Sequence, residues 1–259
     1  MSHPSEAGHW YSPDGSPCYE VKAKNGEMRP TTLRDARKLG LFPSVTGIIR
    51  CAAAPGLERW KLDQMLHAAL TLPRNDAEAE ADWIARVWQD SQETAKKASE
   101  RGTRIHAAIQ GGFEGAPVHD EFRPHCQAVC AALFDWNGLP DYAWEPERSF
   151  ACTMGYGGKA DLSAPVPMEP GYVCDIKTTE KPLESLRTWD EHAYQLAAYR
   201  NGLGLLKARC AIVYVRVTGE ARLIEIPEDD LVRGWDCFRA LLTFWQAKNR
   251  YWSQMKVAA

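Results

Sequence analysis

The chain has 259 residues, a formal net charge of −3, 45% hydrophobic residues and 25% charged residues. These proportions suit one large globular domain and exclude a disordered or membrane-embedded class, since no apolar run approaches the ~20 residues that a bilayer span needs. The slightly acidic balance excludes a blanket coat for nucleic acid, although a basic groove can exist on an acidic protein.

The opening Met-Ser-His-Pro-Ser-Glu-Ala-Gly-His-Trp lacks the basic start and apolar centre of an export signal, so a cytoplasmic location is expected. Eight irregularly spaced cysteines are too few for a disulfide framework and suit free thiols in a reducing compartment.

In chain order, residues 18–24 alternate (Cys-Tyr-Glu-Val-Lys-Ala-Lys) and run into Asn25-Gly26, a hairpin signal. Arg29-Pro30-Thr31 restarts the chain, and a short helix is expected over 33–39. The arm carries Lys22, Lys24, Arg29, Arg34, Arg37 and Lys38; scattered charge of this kind describes a solvated face, and the arm is expected to cover a sheet edge. Ser44 is placed to cap a helix beginning at Val45, and Pro55 to open another running toward Leu70, which Pro73 ends. From Asp76 a long helical pattern carries its acids at the N-terminal end and Trp83, Val87 and Trp88 on one face. With or without a break at Gly102, it is expected to stop at Gly111-Gly112. A further helix covers 120–136, closed by Asn137-Gly138.

From Trp144 the periodicity changes. Residues 147–153, 159–164 and 172–177 read as strands of an antiparallel meander separated by Gly and Pro turns. Helical spacing returns over 188–203, strands over 208–217 and 222–226, and a closing amphipathic helix over 228–255 sets Trp235, Phe238, Leu242 and Trp245 on its apolar side. The fold class expected is α/β (α+β): a mixed central β-sheet flanked by helices, with an N-terminal helical region. One domain, 1–259, is divided into an arm (1–42), a helical region (43–140) and a sheet with closing helices (141–259).

Chemistry concentrates in Gly155-Tyr-Gly-Gly-Lys-Ala-Asp161 and Tyr172-Val-Cys-Asp-Ile-Lys-Thr-Thr179. Strand alternation points Asp175 and Lys177 to one face and Cys174 and Ile176 to the other; if the strands pair, Asp161 joins the first pair. Two carboxylates and an ammonium describe a divalent-metal site suited to phosphodiester hydrolysis: the metal neutralises phosphate and acidifies a water, and the lysine orients or deprotonates that water. Exposed strand acids would be the bland account, but an aspartate inside Val-Cys-Asp-Ile is out of place in a strand.

Gly102 and His106 share a helix face, as do Gln195 and Tyr199; packing alone would also account for either pair. Trp189 and Arg187 suit stacking on and clamping an unpaired strand. His125-Cys126 with Cys130 lacks the second cysteine pair of a zinc site. The Gly155–Gly158 glycines lack phosphate-loop spacing and read as a tight turn before Asp161.

As an ordered set, Gly102-x-x-x-His106, Gly157-Gly158-x-x-Asp161, Asp175-Ile176-Lys177-Thr178 and Gln195-x-x-x-Tyr199 resemble the PD-(D/E)xK nuclease superfamily in its RecB-type exonuclease branch. Within that branch the chain looks most like the mitochondrial genome maintenance exonuclease and its phage-encoded relatives, which the upstream Pro43-Ser-Val-Thr-Gly-Ile-Ile49 and Pro55-Gly-Leu-Glu-Arg-Trp60 also resemble. The likeness spans roughly 43–199.

It implies a restriction-endonuclease-like core and a DNA exonuclease using Mg²⁺ or Mn²⁺. His106, Asp161, Asp175 and the Ile176 carbonyl would be the ligands and Lys177 the catalytic lysine. Gln195 and Tyr199 would support the site and guide the strand, Gly102, Thr178 and Trp189 would assist substrate binding, and Glu147 would be a further acid behind the ligands. Some relatives carry an iron–sulfur cluster on three cysteines after the Gln-x-x-x-Tyr helix; here only Cys210 and Cys237 follow, so no cluster is expected. With no helicase motif, single-stranded or already open DNA ends are the expected substrate, in recombination, repair or processing of phage or bacterial DNA, with recombination or single-strand-binding proteins as candidate partners. A structure-specific endonuclease, a catalytically silent DNA-binding module and a hydrolase of small phosphorylated molecules remain alternatives.

Overall fold

The computed structural model describes residues 8–167 and 170–253. The opening seven residues, and the expected end of the last helix at Met255, lie outside that range. The N-terminal arm contains β1 (Trp10–Tyr11), a hairpin of β2 (Glu20–Lys22) and β3 (Met28–Pro30), α1 (Leu33–Leu39) and β4 (Phe42–Pro43). The hairpin turns at Gly26, whose φ is +90°. Thr32 and Asp35 form a capping box at the start of α1, and Gly40 ends it in the left-handed region.

β1 pairs antiparallel with β4, a long-range contact of two-residue strands that periodicity does not announce. Tyr11 lies against Gly157, where an added Cβ would approach the tyrosine to 2.7 Å. Just after β4, Ser44 makes a parallel bridge to Gly157, on the stretch of β6 that β7 leaves unpaired, so this segment covers an open edge as expected.

Ser44 caps α2 (Val45–Ile49) by accepting from the Gly47 N–H. Pro55 opens α3 (Pro55–Thr71), and α4 (Glu80–Phe113) follows. α4 runs unbroken through Gly102 and past Gly111-Gly112. These glycines are packing contacts: a Cβ at 102 would meet Thr178 Oγ1 at 2.8 Å, and one at 112 would meet Val118 and Cys126. A 3₁₀ turn at Asp120–Phe122 precedes α5 (Arg123–Asn137), which Gly138 ends.

The five-stranded sheet holds β5 (Glu145–Cys152), β6 (Tyr156–Ala164), β7 (Tyr172–Thr179), β8 (Arg209–Arg216) and β9 (Ala221–Ile226) in that spatial order. β5, β6 and β7 form the expected antiparallel meander; α6 (Asp190–Gly202) then crosses over, so that β8 runs parallel to β7, and β9 returns antiparallel. α7 (Glu228–Asn249) closes the chain. It stops short of 255 because Arg250 adopts φ +46°, and Tyr251 folds back to donate its hydroxyl to the carbonyls of Ala36 and Leu41.

Two cores flank this mixed sheet, as a restriction-endonuclease-like α/β architecture requires. One packs α2, α6 and α7 on Phe150, Tyr156, Val173 and Ile212; the other packs α4 and α5 on Leu162, Cys174, Ile176 and Val213. Among the described residues, no helix is long and apolar enough to cross a membrane.

Candidate active site

The site forms where the sheet is defective. Along β6, Tyr156 and Ala160 belong to one core while Leu162 and Ala164 belong to the other, so the strand changes face at Asp161. In β5 the pairs Pro146↔Leu162 and Arg148↔Ala160 flank Glu147, which sits at φ +53°, a conformation costly for a residue with a side chain. The expected Gly155–Gly158 turn is shorter than read: Gly155, at φ +94°, makes the turn, while Gly157 and Gly158 are strand residues with Tyr11 and Phe150 packed on them.

Past Leu162↔Cys174 the β6–β7 ladder ends. The Ile176 N–H, left without a strand carbonyl, donates to Asp161 Oδ2 at 2.7 Å. The broken ladder thus aims Asp161 at the next strand, beside Asp175.

Asp175 is 2% exposed. Its Oδ1 accepts from Gln195 Nε2 at 2.6 Å, and its Oδ2 lies 2.7 Å from Lys177 Nζ. That second contact is an ion pair without hydrogen-bond alignment, leaving Oδ2 a buried oxygen with no hydrogen-bond partner. Gln195 also donates to the Tyr199 hydroxyl at 3.0 Å and accepts from Lys177 at 3.4 Å, so one amide on α6 fixes the acid and the lysine together. Tyr199 is buried against Phe150; it supports Gln195 and is not positioned to guide a strand.

His106 Nδ1 stands 3.8 Å from Asp161 Oδ2. Gly102, one turn earlier, lets α4 press on Thr178 of β7 and so sets that approach.

Burial, and then the neighbouring charge of Asp175, push the Asp161 carboxyl up to about 7. Burial lowers His106. Burial also opposes the Lys177 charge, but the adjacent Asp175 outweighs it and raises the lysine. A buried carboxyl raised in this way beside a second acid is a position that a cation would favour. The donors fit a hard divalent cation in kind: the Asp161 and Asp175 carboxylates, the His106 imidazole and the Ile176 carbonyl. Among the described residues, no group of three or more His, Cys, Asp and Glu side chains is gathered tightly enough to hold an ion as it stands, since Asp175 is turned toward Lys177 and Gln195.

Sequence reasoning missed the cationic flank. Lys159, two residues before Asp161, pairs with Glu147 and acts electrostatically on Asp161. The arm brings His9, and the end of α2 brings Arg50, into the same neighbourhood, and burial followed by the charges of Arg50 and Lys159 lowers His9. The Gly-Gly-Lys-Ala-Asp string held a signal for Lys159; nothing local signalled His9 or Arg50. Trp189 stands outside the acid cluster, on the rim of a cavity that Lys177 also lines.

The chain matches no family model and no curated protein. Among solved structures it resembles an alkaline exonuclease from Laribacter hongkongensis, at 12% identity and a TM-score of 0.42, covering 83% of this chain and 93% of that one. It also resembles a protein from Eubacterium rectale assigned as an exonuclease, at 12% identity and a TM-score of 0.40, covering 61% of this chain and 72% of that one. At that level of similarity, what this chain does has to be read from its own residues.

Proposed function

We propose that the chain is a metal-dependent deoxyribonuclease that hydrolyses phosphodiester bonds from the ends of single-stranded or open DNA, in the manner of the RecB-type branch its motifs resemble. The observation that carries this reading is the buried Asp161–Asp175 pair at the broken β6–β7 ladder, with Lys177 and His106 beside it. His106, Asp161, Asp175 and the Ile176 carbonyl would hold Mg²⁺ or Mn²⁺. Such an ion neutralises phosphate and lowers the pKa of a bound water.

The chain's own residues supply the rest. Lys177, an ammonium anchored by Asp175, orients the attacking water and offers a donor to the phosphate. Gln195 prevents both from swinging away. Glu147 holds Lys159 in place beside Asp161.

Linear and circular single-stranded DNA incubated with Mn²⁺ test the proposal. Degradation of the linear strand alone, abolished by EDTA, is the expected result. Cutting of closed circles converts the reading to an endonuclease, and no EDTA-sensitive cutting of either removes it.

A further inference from the structure

A cavity of about 560 Å³ opens on the lysine side of the site, between the end of β7, the 3₁₀ turn at Leu183–Ser185 and the start of α6. Its wall includes Lys177, Lys181, Arg187, Trp189, His192 and Tyr214, and no acid lines it. That size lies within the range of small-ligand sites. Nearby cations are neutralised, as in Arg101–Glu180, Arg216–Glu220 and Arg233–Asp190. Among the described residues, Lys181 and Arg187 have no ion-pair partner.

The wall is tied in place. Tyr214 donates its hydroxyl to the Arg187 carbonyl at 2.8 Å, and Arg222 donates to the Leu183 carbonyl at 2.7 Å. His192 Nδ1 accepts the Trp189 N–H at 3.1 Å, which places the proton of a neutral imidazole on Nε2 and makes that nitrogen a donor. The Trp189 indole, on this fixed backbone, is 67% exposed. A lone exposed tryptophan is unremarkable; one at the lip of an acid-free basic cavity that shares its lysine with two buried carboxylates is a stacking platform beside phosphate-binding cations.

We propose that this cavity seats one unpaired nucleotide of a single DNA strand, with its base stacked on Trp189 and its phosphate held by Lys181, Arg187 and the His192 Nε2–H. The inference rests on the nuclease reading for its choice of ligand and makes that reading more specific. A base inside a duplex has both faces covered by its stacked neighbours, so the cavity selects single strands, and because Lys177 belongs to both sites the seated nucleotide sets the register of the scissile phosphate.

The test is binding of fluorescein-labelled dT10 and of a blunt duplex of equal length, followed by anisotropy in EDTA, where no hydrolysis occurs. Trp189→Ala is expected to weaken dT10 binding by about 5- to 150-fold, the range of one base–aromatic stack, with the duplex little affected and Trp189→Phe restoring most of the loss. Lys181→Ala with Arg187→Ala is expected to weaken binding and flatten its salt dependence, as lost phosphate contacts do. No dT10 binding by the wild type, unchanged affinity in Trp189→Ala, or equal losses for dT10 and duplex each overturns the proposal. Because hydrolysis plays no part in the readout, an inactive wild type that shows the Trp189 effect removes the nuclease reading and leaves the cavity, while an active wild type without that effect does the reverse.

Discussion

Asp35 and Asp161 are both largely buried aspartates, with side chains 17% and 20% exposed, and the fold treats them oppositely. Asp35 accepts from both Arg29 guanidinium nitrogens and from the backbone and hydroxyl of Thr32, and the Arg29 contact holds its carboxyl well below the usual range. Asp161 has one backbone donor and faces a second acid; burial and that acid raise it. The first carboxylate stabilises the folded chain, and the second is left wanting a cation.

The largest effect that would break this contrast is catalytic. Asp175→Ala and Lys177→Ala should each lower the cleavage rate by about 100- to 10,000-fold while the protein still melts cooperatively; near-wild-type cleavage by either would remove the acid–lysine pair from the mechanism.

Next comes the metal-free stability of Asp161→Asn. A carboxyl whose folded value is raised leaves the folded state holding more protons than the unfolded one, so wild-type stability falls as pH rises from about 4 through about 7. The asparagine, which still accepts the Ile176 N–H, escapes that loss. It should be inactive yet more stable than wild type by about 2 kcal/mol at pH 8 in EDTA, with the gap closing toward pH 4 and shrinking when Mg²⁺ is added. Equal stability across that range in urea unfolding would show that burial beside Asp175 does not burden the Asp161 carboxylate.

Asp35→Asn should do the opposite, costing about 1 kcal/mol at pH 7. Because this carboxyl is lowered on folding, its contribution is present above the unfolded value near 4 and disappears below it, so the two melting curves should converge in acid. The smallest effect is at Gly102→Ala. The helix gains propensity, but the new methyl displaces α4 from Thr178 and His106 with it, so the melting temperature should move by only a few degrees while kcat drops several-fold.

Much of this arrangement is legible where its cause is local. Ser44 and Pro55 mark true helix starts because a cap and a ring with fixed φ act on their own residues. Asp175 and Lys177 share a face because strand alternation is a two-residue rule, and Gln195 with Tyr199 because of helical spacing. The failures share a different cause. Gly111 and Gly112 read as a stop, but α4 runs past them to Phe113, with Val118 and Cys126 packed on Gly112. Arg250 ends α7 with no glycine to announce it. His9 and Arg50 reach the site through the docking of the arm and of α2, which depends on pairings no short window contains.

Tyr251 has a consequence for how the molecule is made. Its hydroxyl closes on Ala36 and Leu41 across more than 200 residues of chain, and the arm it fastens lies on Gly157, four positions before Asp161 on β6. Because these contacts join segments more than 200 residues apart, the clasp cannot form until the whole sheet between them has been translated. The docking of the arm beside the acid pair is therefore fastened only once both flanks of the sheet are present.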